Sequence, residues 1–116
     1  MLFRSAMIVN TFREAEYFVR QAREQAMAGD HTAAVLSLKK AIDVYPAYTE
    51  AYALLGNCQE CIDKLDDAAA AYDKALLLDP GHADAWFNKG MLLKKRGMNR
   101  EAAQCIEKSM DLYCGW

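Results

Sequence analysis

Residues Thr49 to His82 read TEAYALLGNCQECIDKLDDAAAAYDKALLLDPGH, and this stretch decides the fold. Tyr52, Leu55, Gly56 and Gln59 recur at i, i+3, i+4 and i+7, which sets them on one face of a helix. After a polar patch, Ala68, Tyr72, Ala75 and Leu76 repeat that period. Asp79-Pro80-Gly81 then stops the chain, because proline lacks an amide donor and glycine accepts positive φ. The unit is helix, short turn, helix, turn. Shifting the frame by 34 residues in either direction returns the same punctuation.

One period earlier, Phe18 stands for Tyr52, Ala22 for Gly56, Ala34 for Ala68, Leu38 for Tyr72, Ala41 for Ala75 and Pro46 for Pro80, with Gly29 at the turn. One period later come Trp86, Gly90, Gly97, Ala102, Ile106 and Ser109, with Cys114 where the proline would be. Two antiparallel helices approach closely only where small side chains meet. Gly56 is therefore expected to meet Ala68, Ala22 to meet Ala34, and Gly90 to meet Ala102. Phe18, Tyr52 and Trp86 should fill the wider part of each wedge and bury much of their area.

A 34-residue period of this pattern resembles the tetratricopeptide repeat. Three units tile the chain at 15–48, 49–82 and 83–116, leaving 1–14 as an N-terminal extension or cap. Some positions depart from the family pattern. Gln21 and Lys89 replace a leucine, and Gln25, Gln59 and Leu93 replace an aromatic. Asp63 sits where the turn between helices has glycine, and Cys114 where the last unit has proline. The resemblance implies an all-α superhelix of three antiparallel helix pairs, with the first helix of each pair (helix A) lining the concave side.

Read for its ends, the first helix A should start near Phe12, since Thr11-Phe12-Arg13-Glu14 fits a capping box, and run to about Ala28. Leu2, Phe3, Met7 and Ile8 could cover the open side of the first unit, as a short helix or an extended strip. Later helices are expected over about 32–44, 49–62, 66–78, 83–96 and from Asn99 to about Tyr113, with Asp66 and Asn99 as caps.

The chain has 116 residues, enough for one domain with one continuous core. Its net charge of −2 gives nothing global that favours nucleic acid or an anionic membrane. Its apolar runs are too short to span a bilayer. No small-residue cleavage site follows Met1 to Val9, so the expected location is the cytoplasm. Cys58 and Cys61 form a C-x-x-C, but within a predicted helix rather than at its N-terminus, and no second pair completes a zinc site. Cys58 reads as a small buried residue and Cys61 as one on the open face. His31 and His82 fall in turns and are expected in solvent, far in sequence from the cysteines. No nucleophile–base constellation or phosphate loop is present, so the expectation is a non-catalytic protein without metal or cofactor.

What the resemblance implies about a site can be carried over residue by residue. Helix A of the first unit contributes Glu16, Val19, Arg20, Arg23, Ala26 and Met27. The second contributes Glu50, Ala53, Leu54, Asn57, Glu60 and Cys61, and the third Asp84, Phe87, Asn88, Met91, Lys94 and Lys95. Val19, Ala53, Leu54, Phe87 and Met91 would form an apolar strip. Arg20, Arg23, Lys94 and Lys95 would flank it, and Asn57 and Asn88 could bind a peptide backbone or carboxylate. Such a groove suits an amphipathic helix or an extended acidic peptide of a protein partner. Some family members clamp a chaperone's C-terminal carboxylate with Lys, Asn and Arg. Here Val19, Arg23, Leu54, Asp84 and Asn88 occupy those places, and none matches.

The final helix would expose Ile106, Met110, Tyr113 and Trp116 on the face meant for a neighbour. That suggests an alternative function, self-assembly into a homo-oligomer, or a place within a larger repeat protein. Charge is uneven too. Glu60, Asp63, Asp66, Asp67, Asp73 and Asp79 make the second unit acidic, while Lys89, Lys94, Lys95, Arg96 and Arg100 make the start of the third basic. Contact between copies, or RNA on the basic end, would be ways to use that asymmetry, the RNA version lacking a surrounding excess of positive charge.

Overall fold

Helices form wherever the apolar period runs uninterrupted, and they end at glycine, proline or a left-handed residue. The computed structural model describes residues 2–115, with side chains over 10–115. Helix α1 spans Leu2–Met27, α2 His31–Val44, α3 Thr49–Cys61, α4 Leu65–Leu78, α5 Ala83–Lys95 and α6 Asn99–Cys114. No strand occurs among the described residues. The chain is an all-α superhelix of three antiparallel pairs. The hairpins α1–α2, α3–α4 and α5–α6 pack internally, and each leans on the next through α2–α3 and α4–α5. Among the described residues, α1 and α5 do not pack on each other. None of the described helices is long and apolar enough to cross a membrane.

The turns within the hairpins share one backbone device. Gly29 and Gly97 take φ of 84° and 80°, and Asp63, one period from each, takes 62°. Glycine reaches that left-handed region freely, whereas an L side chain is strained there. The second hairpin therefore closes with the same geometry and a less suitable residue.

The start of α1 corrects the sequence reading. The capping-box residues Thr11 and Glu14 lie inside the helix, which begins at Leu2 rather than near Phe12. Nothing between Leu2 and Asn10 is glycine or proline, so nothing stops the helix from extending backwards. What the side chains of Leu2, Phe3, Met7 and Ile8 cover lies outside the described residues, as does Trp116. Phe12 packs its ring on Tyr45 and Tyr48, with centroids 5.5 and 5.4 Å away. Asp66 and Asn99, expected as caps, both fall within the first turn, because α4 begins at Leu65 and α6 at Asn99. Asp30 does cap α2, accepting from the Ala33 amide at 3.1 Å.

The core is built from alanines and a few large side chains. Ala34, Ala41, Ala51, Ala68, Ala75 and Ala85 are fully buried, as are Leu38, Tyr72 and Leu92. Phe18, Tyr52 and Trp86 are half-buried against these clusters, and the Trp86 indole donates to the Pro80 carbonyl at 2.8 Å. One expected crossing is different. Gly56 faces the ring of Tyr72 rather than Ala68, which instead joins Tyr72 and Leu92 in another part of the core. Gly90 does approach Ala102, whose carbonyl oxygen lies 3.1 Å from where a Cβ would be. Glutamines at the former aromatic positions have divided roles. Gln25 accepts from the Ser37 hydroxyl at 2.7 Å, while Gln59 is buried with its carbonyl oxygen unpartnered.

Candidate functional site

Helices α1, α3 and α5 line one side of the superhelix, and α3 and α5 touch directly. Between them the surface sinks into several hollows, two of them at equivalent places in successive repeats. The first, of about 250 Å³, lies among α1, α2 and α3 and is lined by Ala22, Arg23, Ala26, Met27, Leu38, Leu54 and Cys58. The second, of about 320 Å³, lies between α3 and α5 and is lined by Asn57, Glu60, Cys61, Asn88, Met91 and Lys95.

The residues expected from sequence distribute unevenly over this surface. Arg23 and Leu54 line the first hollow, and Asn57, Asn88, Met91 and Lys95 line the second. Phe87 and Met91 stand exposed, as do Arg20 and Lys94. Two residues of the expected apolar strip are corrections. Val19 and Ala53 are only 2% and 5% exposed, packed in the core, and offer a ligand almost no surface. Their helix positions turn them towards the neighbouring helix rather than into the groove. Asp84 accepts a hydrogen bond from the Tyr113 hydroxyl, which ties α5 to the end of α6.

Polar groups in the second hollow form a connected set. Tyr72 is fully buried behind this lining, and its hydroxyl lies 2.7 Å from Glu60 Oε1 and 2.6 Å from Asn57 Oδ1, both of them lining residues. Burial first, then the hydrogen bond to the Glu60 carboxylate, push this phenol far above its usual range. The other Glu60 oxygen faces Lys95 Nζ at 3.4 Å. Glu60 was among the helix A residues carried over from the resemblance, but Tyr72 was not singled out as a site residue from sequence. The available signal was a phenol hydroxyl where the sister repeats have Leu38 and Ile106, since a buried hydroxyl needs a partner.

Along the groove edge a second set joins all three hairpins. Arg23 donates to Glu50 Oε1 at 2.8 Å, and His82 Nε2 lies 3.5 Å from Glu50 Oε2. His82 is mostly buried rather than in solvent, and its Nδ1 accepts from the Ala85 amide as the cap of α5. His31 is half-buried with its Nδ1 unpartnered. The acidic second unit and the basic third unit meet within the chain. Lys89 pairs with Asp73 at 2.6 Å, Arg96 with Asp66 at 2.5 Å, and Lys95 with Glu60. The asymmetry that suggested contact between copies is thus answered largely by neighbouring repeats of one molecule.

Cys58 is buried and Cys61 exposed, and burial pushes the Cys58 thiol up, opposite to the shift that activates a thiolate. Among the described residues no three His, Cys, Asp or Glu side chains converge as metal ligands.

Models of the tetratricopeptide repeat match residues 49–82 and 71–104. Over 82 residues the chain is 34% identical to the cell division cycle protein 27 homolog of Caenorhabditis elegans, covering 71% of this chain and 10% of that protein. Over 83 residues it is 27% identical to anaphase-promoting complex subunit 3 of Schizosaccharomyces pombe, covering 72% of this chain and 12% of that one. The chain therefore spans about a tenth of the length of these relatives. Among solved structures, MamA superposes with a TM-score of 0.82 at 25% identity, over 91% of this chain and 61% of that one. The second tetratricopeptide domain of Spaghetti, bound to an HSP90 peptide, superposes with a TM-score of 0.87 at 21% identity, over 93% and 98%. The latter likeness is one of fold.

Proposed function

From the premise that this chain belongs to the tetratricopeptide-repeat family, we propose that it is a non-catalytic protein-interaction module that takes a peptide segment of a partner into the groove lined by α1, α3 and α5. The observation that carries this reading is the pair of hollows between successive A helices, which side chains of a bound segment can enter. A structural neighbour that holds a peptide supports it. The groove chemistry argues against capture of a terminal carboxylate by a basic clamp. Leu54 is apolar where such a clamp needs an amide, and Asp84 carries a negative charge where it needs a lysine.

The test is a random-peptide display library panned on the wild-type chain and on Arg23→Ala/Asn57→Ala/Phe87→Ala/Asn88→Ala. Enrichment on the wild type that disappears in the variant, with helicity unchanged by circular dichroism, supports the groove. Equal enrichment on both defeats it.

A second reading, self-association, is favoured by one observation. Met110 is 59% exposed, whereas its counterpart Leu76 is 8% exposed under α5. The α6 face that would receive a further helix is bare among the described residues, and a second copy could cover it. A light-scattering mass that stays monomeric at high concentration removes this option.

A further inference from the structure

The two hollows are the same place in the fold, built twice with different chemistry. Arg23, Ala26 and Leu54 at the first correspond, one period on, to Asn57, Glu60 and Asn88 at the second. The difference traces to one core position. Leu38 floors the first hollow and asks for no partner. Tyr72 takes its place in the second repeat, and its buried hydroxyl is met by Glu60 and Asn57. Gly56 makes this possible, because a Cβ there would lie 2.5 Å from the Tyr72 ring, whereas the first repeat has Ala22. The first hollow is thus walled by carbon and sulfur, with the Arg23 guanidinium held by Glu50.

We propose that the groove reads an extended peptide through two unlike anchors, an aliphatic side chain in the first hollow and an acidic side chain in the second. This deepens the groove reading above and rests on it. The acidic preference follows from the donors left over. Both Glu60 oxygens are engaged, one by Tyr72 and one by Lys95. Asn57, Asn88 and Lys95 line the hollow, the Asn57 and Asn88 amide N–H groups have no side-chain acceptor among the described residues, and Lys94 on its rim has no ion-pair partner among them. Two ammonium groups against one carboxylate leave the rim positive. Side-chain amides also favour an extended backbone, whose peptide groups are unpaired, over a helix that satisfies its own. The hollows lie on either side of α3; a helix with its side chains is about 10–12 Å across and an extended chain rises about 3.3 Å per residue, so the anchors fall about three residues apart.

A random dodecapeptide display library, panned on four proteins and sequenced, tests this. The proteins are the wild type, Ala26→Glu, the triple variant Ala22→Gly/Ala26→Glu/Leu38→Tyr, and Lys94→Ala/Lys95→Ala, each checked for helicity. The triple variant transplants the Tyr72–Glu60 pair to the first position, with glycine giving the new ring its room. Ala26 is half-buried at the lip, so the single variant keeps the test open should the triple fail to fold. The wild-type pool is expected to pair a Leu, Ile or Met with an Asp or Glu about three positions away. Aliphatic enrichment should fall roughly tenfold or more on Ala26→Glu and on the triple variant, with the acidic preference kept. The lysine variant should show the reverse. Enriched pools whose two preferences do not respond separately overturn the two-anchor reading and leave the groove standing. A wild-type pool with no enrichment overturns both.

Discussion

The ring of Tyr72 occupies the space that a Cβ on Gly56 would take, with ring carbons 2.5 and 2.7 Å from that position. Tyr72 is fully buried, so the ring has nowhere to swing. Gly56→Ala gains about 0.5–1 kcal/mol from helix propensity, but overpacking a closed core costs about 1–3 kcal/mol. The expected net effect is destabilisation, read as a lower thermal midpoint. The first repeat supplies the rescue, since Ala22 and Leu38 stand at the same two places. Adding Tyr72→Leu to Gly56→Ala should recover stability relative to the sum of the two single changes. Simple additivity in that double-mutant cycle would refute the contact.

Asp63 closes the second hairpin at φ 62°, where its two counterparts are glycines. A left-handed L residue carries a strain of about 1–2 kcal/mol, less for aspartate, and glycine removes it while loosening the unfolded chain. Asp63→Gly is expected to stabilise by about 0.5–1 kcal/mol. Asp63→Val, β-branched at the same angle, should do the opposite. Chemical denaturation of both variants, compared at equal slope, reads the order.

Alkaline pH should weaken the fold, and the sign follows from the direction of the shifts. Burial raises Tyr72 and the thiols of Cys58 and Cys105, so each keeps its proton longer in the folded state than in the unfolded one. Their stabilising contribution is fully present below the unfolded values, about 8.5 for cysteine and 10 for tyrosine, and is lost as pH climbs towards the folded ones. Denaturation midpoints should hold through neutral pH, begin to drop near pH 9 and drop more steeply above 10. Tyr72→Phe should flatten the limb above pH 10. A variant curve parallel to the wild type there would show that Tyr72 does not drive it.

His82 caps α5 through Nδ1 and faces Glu50 through Nε2, so it joins the second and third hairpins. His82→Ala removes the acceptor for the Ala85 amide and should cost about 1 kcal/mol. His82→Asn, which can still accept that bond, should restore most of the loss. Urea titrations of the two variants separate a cap from a merely space-filling residue, because in the latter case alanine and asparagine would be equally poor.

The sequence by itself determined the repeat. Period, turn glycines and small core positions are local properties, set by which residues share a helix face and which accept positive φ. That is why the helices ending at Val44 and Leu78 and the turns at Gly29 and Gly97 were legible. Local rules failed at the capping-box pattern of Thr11, which an uninterrupted helix from Leu2 runs straight through. They also placed Val19 and Ala53 in the groove, although packing against a neighbouring helix had claimed them. Only the tertiary structure decided that Tyr72 shares its hydroxyl with Glu60 and Asn57, that Lys89 and Arg96 pair with Asp73 and Asp66, and that the two hollows differ in chemistry. Each of these joins residues 12 to 30 positions apart, and no periodicity within one helix says which side chains from another will face it.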